Sequence, residues 1–87
     1  MSSVDMMPFY SFFNKGKNAM LAGSYYTALY NFNLANKRVP FDKETLFYKA
    51  ICEINLNDIQ DACIDLHKLK ELGGNDMADS LVERYCK

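Results

Sequence analysis

The stretch that decides the fold is "AGSYYTALYNFNLANKRVP", residues 22–40, because its layout of turn, small and apolar residues returns in "LNDIQDACIDLHKLKELGG", residues 56–74. The two stretches begin at positions 22 and 56, and we call the offset between these positions the repeat period. Each begins with turn and capping residues and continues with apolar residues at helical spacing. If the repetition is genuine, the chain is a helical repeat protein that acts by binding. If it is chance, the chain is a small helical domain.

Length and composition restrict the class of protein. The 87 residues are 49% hydrophobic and 14% aromatic, which suits one small domain and is too apolar for disorder. Two prolines and four glycines provide few turn signals for a many-stranded β fold. The net charge of −1 gives no overall field that would attract nucleic acid or an anionic membrane. We therefore expect neither nucleic acid nor a membrane as a partner.

The cysteines and the N-terminal segment bear on the compartment. The N-terminus lacks a basic region followed by an unbroken apolar run, and no stretch approaches the roughly 20 apolar residues of a membrane span. We therefore expect a cytoplasmic protein. Cys52, Cys63 and Cys86 are then expected to be reduced thiols, although Cys63 and Cys86 fall on adjacent predicted helices and could approach each other.

Helical periodicity and capping residues predict five helices and no strand. Pro8 is expected in the first turn of the first helix, where its missing N–H is harmless. The predicted N-caps of the following four helices are Ser24, Asp42, Asp58 and Asn75. The predicted terminators of the first four helices are Gly23, Pro40, Asn57 and the pair Gly73 and Gly74.

Positions one repeat period apart keep the same physical role: turn former, cap, small residue or bulky core residue. The pairs include Phe12 and Leu46, Gly16 and Ala50, Gly23 and Asn57, Ser24 and Asp58, Ala28 and Ala62, Phe32 and Leu66, and Ala35 and Leu69. A helix–turn–helix unit with these residues and a period of about 34 residues resembles the tetratricopeptide repeat. The resemblance extends over residues 9–74. The sequence departs from the family at Lys15 and Lys49, where an aliphatic residue is preferred, and at Ala19 and Glu53, where an aromatic residue is preferred.

The resemblance implies an all-α fold, a five-helix right-handed α-solenoid fragment within a single domain, residues 1–87. Repeat one would span about 9–41, repeat two about 43–74, and a capping helix about 76–86. A five-helix bundle without a true repeat is the alternative. Two repeats are fewer than the three or more that such arrays usually need, so either the capping helix suffices or a second chain completes the core.

The resemblance also implies a protein-binding groove on the concave side, lined by the first helix of each repeat. The matching positions are Tyr10, Phe13, Lys17 and Met20 in repeat one, and Glu44, Phe47, Ile51 and Ile54 in repeat two. Phe13 and Ile51 stand where a clamp for an acidic, carboxylate-ending peptide would need a cation or an amide. A mostly apolar groove instead favours an amphipathic helix or an apolar peptide, with Phe13, Phe47 and Ile51 as leading anchors.

Several alternatives remain open at this level. Phe47 and Ile51 could be core residues beneath the fifth helix, and the protein could be a self-associating assembly subunit, such as a homodimer, or a client-specific chaperone. We expect no enzymatic activity, no cofactor and no metal: the chain has no CxxC motif, and His67 has no clustered partners. Cys63 and His67 are four residues apart on one helix and could meet, but His67 is expected to face water.

Overall fold

A computed structural model of the protein describes residues 2–86, with side chains from Pro8 onward, and these residues form five α-helices. The helices are α1 (Ser2–Leu21), α2 (Tyr25–Arg38), α3 (Lys43–Asn55), α4 (Ile59–Glu71) and α5 (Asp76–Tyr85). Residues 2–86 contain no strand, which confirms the all-α prediction. Within this part of the chain, no helix combines the length and the hydropathy needed to cross a membrane.

The first helix is longer than the sequence pattern predicts. We expected Pro8 in the first turn, but α1 begins at Ser2 and Pro8 lies inside the helix, so this prediction is wrong. The fixed φ of proline is itself helical, and its cost in a helix interior is the missing N–H and crowding against the preceding turn. A proline alone therefore does not define where a helix begins.

The turns that join α1 to α2 and α3 to α4 are the same structure, one repeat period apart. Gly23 and Asn57 both have positive φ, 81° and 63°. The next amide in each turn donates back into the preceding helix, from Ser24 N to Ala19 O at 2.8 Å and from Asp58 N to Glu53 O at 2.7 Å. Glycine and asparagine adopt this left-handed conformation at low cost, which explains why the prediction of both terminators is confirmed.

Two of the four predicted side-chain caps form. Asp42 accepts a hydrogen bond from Thr45 N at 3.0 Å, and Asn75 accepts one from Ala78 N at 2.7 Å. Among the described side chains, those of Ser24 and Asp58 accept no capping bond, so those two predictions are wrong. The reason is the backbone: Asp42 and Asn75 have the extended conformation that a capping side chain needs. Ser24 and Asp58 leave the tight turn with ψ of 75° and 67°.

Neighbouring helices in the sequence pack on one another and bury two core clusters. The first cluster joins α1 and α2 to α3 and consists of Phe9, Phe13, Ala28, Phe32, Ala35 and Cys52. The second cluster joins α3, α4 and α5 and consists of Leu46, Ala50, Ala62, Leu66, Leu69 and Ala78. The molecule measures 43 × 28 × 18 Å, and α3 contributes to both clusters.

The first pair of helices approaches closely at Gly16. A Cβ atom at this position would lie 2.7 Å from Cε1 of the buried Phe32 ring, which is closer than such atoms can pack. The equivalent position in α3 is Ala50, also buried. The small residues expected at these two positions therefore lie where the helices of each pair are in contact.

Cys63 of α4 and Cys86, which follows α5, form a disulfide with their Cα atoms 5.6 Å apart. The expectation that all three cysteines are reduced thiols is therefore wrong for this pair. The chain reverses at Gly73 and Gly74, so α5 packs on α4 and brings Cys86 to Cys63. Cys52 is a free, buried thiol. Its burial, and secondarily the charge of Glu53, raises the pKa of Cys52 to about 11, so it is a poor nucleophile.

Candidate functional site

Aromatic side chains of α1 and α3 form a continuous strip. Phe13 stacks on Phe9 with ring centroids 5.6 Å apart, and Tyr10 lies edge-on to Phe9 at 5.2 Å. From the other helix, Tyr48 lies 5.9 Å from Phe13 and 5.9 Å from Phe47. We call these five residues, Phe9, Tyr10, Phe13, Phe47 and Tyr48, the aromatic strip. It joins the first helix of each proposed repeat.

Lys17 places a positive charge over this strip. Its Nζ atom lies 5.6 Å from the centre of the Phe13 ring and 5.8 Å from the centre of the Tyr48 ring. The ammonium group is attracted to the negative faces of both rings, an interaction worth about 0.5–1 kcal/mol at exposed sites. Lys17 is half-buried, so its charge remains accessible to a ligand from solvent.

The eight predicted groove residues differ in accessibility. Tyr10, 56% exposed, and Glu44 are open to solvent, whereas Phe13 is only 8% exposed. Phe13 therefore cannot serve as the leading anchor that we expected, because it fills the space between α1, α2 and α3 and packs against Phe32 as well as Tyr48. The other five are half-buried: Lys17, Met20, Phe47, Ile51 and Ile54.

The structure brings together only some of these eight residues. Tyr48 contacts Phe13, Lys17 and Phe47. Phe9 contacts both Tyr10 and Phe13 and so connects Tyr10 to this group. Met20 packs instead against the first core cluster, whereas Phe47 and Ile54 pack against the second. Ile51 and Glu44 lie on α3, where Ile51 is half-buried and Glu44 is exposed. The predicted groove is thus a shallow surface whose centre is aromatic.

Tyr48 is the central residue that the repeat pattern missed. Its counterpart one repeat period earlier is Asn14, an exposed polar residue, so the repeat pattern does not predict a contact residue at position 48. The signal in the sequence is the adjacent aromatic pair Phe47 and Tyr48. Adjacent helical residues point about 100° apart, so the pair covers a wider arc of α3 than a single groove position would.

A charged cluster lies between α3 and α4. Lys49 Nζ donates to both carboxylate oxygens of Asp65, at 3.2 and 3.0 Å, and lies 3.7 Å from Glu53 Oε2. Glu53 and Asp65 are both buried. Of the two α3 residues at which the sequence departs from the repeat family, Lys49 therefore pairs with Asp65 across the two helices, and Glu53 is buried beside them.

Burial favours the protonated form of Glu53 and raises its pKa. Burial, followed by a hydrogen bond from its carboxyl group to Asp65 and the charge of Asp65, raises its pKa to about 9, and the nearby Lys49 opposes this only in part. Lys49 Nζ lies closer to Asp65, at 3.0 Å, than to Glu53, at 3.7 Å. Glu53 Oε1 is buried with no hydrogen-bond partner among the described atoms.

Three aromatic side chains outside the predicted groove are exposed. Tyr26 and Tyr30, one turn apart on α2, are 78% and 65% exposed, and Phe41 in the following turn is 65% exposed. The sequence pattern assigned α2 an inner apolar line and did not consider its outer face. Aromatic residues four positions apart on the polar side of a helix are the signal that could have found this surface.

The alternatives based on chemistry gain no support. His67 is exposed, as expected, and Cys63 is held in the disulfide, so the two do not form a nucleophile–base pair. Within the described residues, no group of three or more His, Cys, Asp or Glu side chains is arranged to hold a metal, and no pocket is found. No family model, no curated protein and no solved structure matches the chain.

Proposed function

We propose that the chain is a tetratricopeptide-like right-handed α-solenoid fragment, with two repeats and α5 as the capping helix. Two observations support this. The turns after α1 and α3 have the same backbone hydrogen bonds one repeat period apart. The paired positions also share their burial, since Ala28 and Ala62 are fully buried, as are Phe32 and Leu66. The turn after α4 has the same hydrogen bonds, so the shared burial is the observation that favours a repeat over a plain bundle.

We further propose that the protein binds another polypeptide, an amphipathic helix or an apolar peptide, on the face formed by α1 and α3. The observation that carries this proposal is the accessible part of the aromatic strip, Tyr10, Phe47 and Tyr48, which lies with Lys17 and Ile51 over the buried Phe9 and Phe13. Aromatic side chains lose little conformational entropy on binding and are typical anchors of protein interfaces. Lys17 adds a single cation that would select a partner with an acidic residue beside its apolar face.

Site-specific photo-crosslinking in cells tests this proposal. A photoreactive amino acid is introduced at Ile51, and in a separate variant at Ile64, which is exposed on α4 outside the binding face. We expect Ile51 to crosslink to a distinct polypeptide and Ile64 not to. The crosslinked partner is then purified and its affinity measured, and Lys17→Glu should weaken binding by about tenfold, the effect of losing a favourable charge and adding a repulsive one.

Two results would contradict the proposed binding face. The first is the same set of crosslinked proteins from both positions, which would indicate non-specific contact. The second is an affinity for the purified partner that Lys17→Glu leaves unchanged. Lys15→Glu is the matched control, because Lys15 is exposed on the same helix and makes the same change in net charge.

Self-association is the second candidate function, and the exposed Tyr26, Tyr30 and Phe41 favour it. An aromatic surface on α2 could pair with a second copy and complete a core that two repeats leave small. Light scattering over a concentration series decides between the two candidates. A stable dimer would favour self-association if the double variant Tyr26→Ser with Tyr30→Ser is a monomer. A wild-type monomer at every concentration would exclude self-association.

We propose a cytoplasmic site of action, as the sequence suggested. The Cys63–Cys86 disulfide restricts its role in that compartment, because cytosolic disulfides in most organisms are transient, catalytic or redox-sensing. A cytoplasmic protein with this bond is expected to cycle between its oxidised and reduced forms.

A further inference from the structure

The last helix is attached to the rest of the molecule by few contacts. α5 has one fully buried residue, Ala78, and its other apolar contacts with the second core cluster come from half-buried residues, Leu81, Val82 and the following Cys86. It has 10 residues, which is shorter than the roughly 12–15 that an isolated helix needs to be stable in water. Its helical structure therefore depends on its packing against α4.

Two consecutive glycines, Gly73 and Gly74, connect α4 to α5. Gly73 and Gly74 both have positive φ, 111° and 58°, and neither carries a side chain that would restrict rotation. At the other end of α5 the covalent attachment is the disulfide, which joins residues 23 positions apart and closes the loop that contains α5. The disulfide thus holds the far end of a short helix whose near end is joined to α4 by a hydrogen-bonded glycine turn.

The same core cluster receives α5 and two of the predicted binding residues. Phe47 and Ile54 from α3 pack against it, alongside Leu81 and Val82 from α5. A displaced α5 would leave this part of α3 and α4 open, next to the aromatic strip. The face that α5 occupies accepts an amphipathic helix, because α5 is one.

We propose that the Cys63–Cys86 disulfide is a site of thiol–disulfide exchange, and that its reduction releases α5 from the α3–α4 face and extends the binding surface. The second part rests on the proposed function, whereas the release of α5 does not. Neither Cys63 nor Cys86 is fully buried, in contrast to Cys52.

The reductant is a dithiol or two equivalents of a monothiol. Its thiolate attacks one sulfur of the disulfide, a mixed disulfide forms, and the other cysteine leaves as a thiolate and takes up a proton. The second thiolate of the reductant then attacks the mixed disulfide and releases the remaining cysteine. The protein gains two electrons and two protons, and the reductant is oxidised to its own disulfide.

Cys52 takes no part in this exchange and provides an internal control. It is fully buried in the first core cluster. Alkylation of the native reduced protein with iodoacetamide should label Cys63 and Cys86 and leave Cys52 unlabelled. Labelling of all three would show that reduction opens the whole domain, and it would overturn the proposal of a local release.

Hydrogen exchange followed by mass spectrometry tests the release directly. The oxidised protein is compared with protein reduced by dithiothreitol, and we expect amides of residues 76–85 to exchange at least about tenfold faster after reduction, with α1 and α2 unchanged. The double variant Cys63→Ser with Cys86→Ser should reproduce this without reductant. Unchanged protection of α5 in both cases would overturn the proposal.

The same samples separate this inference from the proposed function. The photo-crosslinker at Ile51 is used with oxidised and reduced protein and the purified partner, and crosslinking should increase on reduction. Release of α5 with no crosslinked partner in either state would leave the exchange site standing and contradict the proposed function. Release of α5 with equal crosslinking in both states would show that α5 does not cover the binding surface.

Discussion

At the scale of single residues, the residue that departs most from the repeat pattern, Glu53, belongs to the charged cluster between α3 and α4. A repeat position that favours an aromatic side chain holds Glu53, which is buried against Asp65 and Lys49. Burial, more than any other cause, raises the pKa of the Glu53 carboxyl group to about 9. The cluster therefore links the stability of the protein to pH.

We predict that Glu53→Gln raises stability more at pH 8 than at pH 5. The pKa of Glu53 is raised from 4.5 to about 9 on folding, so the folded state retains a proton that the unfolded state loses. The contribution of Glu53 is complete below pH 4.5 and declines as the pH rises to about 9, where the folded state also ionises. Glutamine stays neutral and removes this decline.

Urea unfolding of both proteins at the two pH values measures this effect. Glu44→Gln is the matched control, because Glu44 is exposed on the same helix. If wild type and Glu53→Gln keep a constant difference in unfolding free energy between pH 5 and pH 8, Glu53 is ionised in the folded state and the proposed protonation is wrong.

We also predict that Gly16→Ala destabilises the protein, although alanine is the better helix former by about 0.5–1 kcal/mol. The new methyl group would lie 2.7 Å from the buried ring of Phe32, which has little room to move. Overpacking of this kind costs about 1–3 kcal/mol. Denaturant unfolding should show the loss, and Asn18→Ala, at an exposed position of the same helix, should show none. A stabilised Gly16→Ala protein would mean that α1 and α2 can separate without cost.

Residue roles were predictable where one physical requirement decides them. Gly16 is small because two helices meet there, and Asn57 follows from the need for positive φ. Phe13 and Tyr48 could not be assigned, because their exposure depends on how α3 sits against α1, which a local pattern does not contain. The pairing of Lys49 with Asp65 likewise joins residues 16 positions apart on different helices.

At the scale of helices, the ends were predictable and the beginnings less so. Terminators act through backbone geometry at one residue, as at Gly23 and Asn57. A cap needs a polar side chain and an extended backbone together, and the sequence of Ser24 or Asp58 reveals only the first. The start of α1 was missed because proline is compatible with either a first turn or a helix interior, at different cost.

This distinction leads to a prediction about caps. Asp42→Ala should lower stability by about 1 kcal/mol, since Asp42 accepts hydrogen bonds from both the amide and the hydroxyl group of Thr45. Ser24→Ala should have an effect near zero because its hydroxyl group makes no capping bond in the described structure. Thermal unfolding of the two variants measures both effects, and equal losses would contradict the cap assignments.

At the scale of the whole molecule, α3 is the element that makes one domain of two core clusters. It supplies Cys52 to the first cluster and Leu46 and Ala50 to the second. The all-α class could be anticipated because apolar residues recur at helical spacing along the chain. The disulfide could not, because pairing depends on the angle at which α5 returns along α4.

We predict that overpacking either cluster lowers the stability of the whole molecule, which still unfolds in one transition. Ala28→Trp in the first cluster and Ala62→Trp in the second each insert a large ring at a fully buried position. Each should cost about 1–3 kcal/mol. For a domain of this size every kcal/mol lowers the melting temperature by roughly 4–8 °C.

Calorimetry of the oxidised protein checks this prediction, with Ile64→Trp as the control because Ile64 is exposed on α4. Because α3 is shared, damage to the first cluster should lower the melting of α4 and α5 as much as that of α1 and α2. Two separate transitions in Ala28→Trp would show instead that each helix pair unfolds alone. A repeat array with weak coupling between its units would behave in that way. The release of α5 would then be one step in a stepwise opening of the chain.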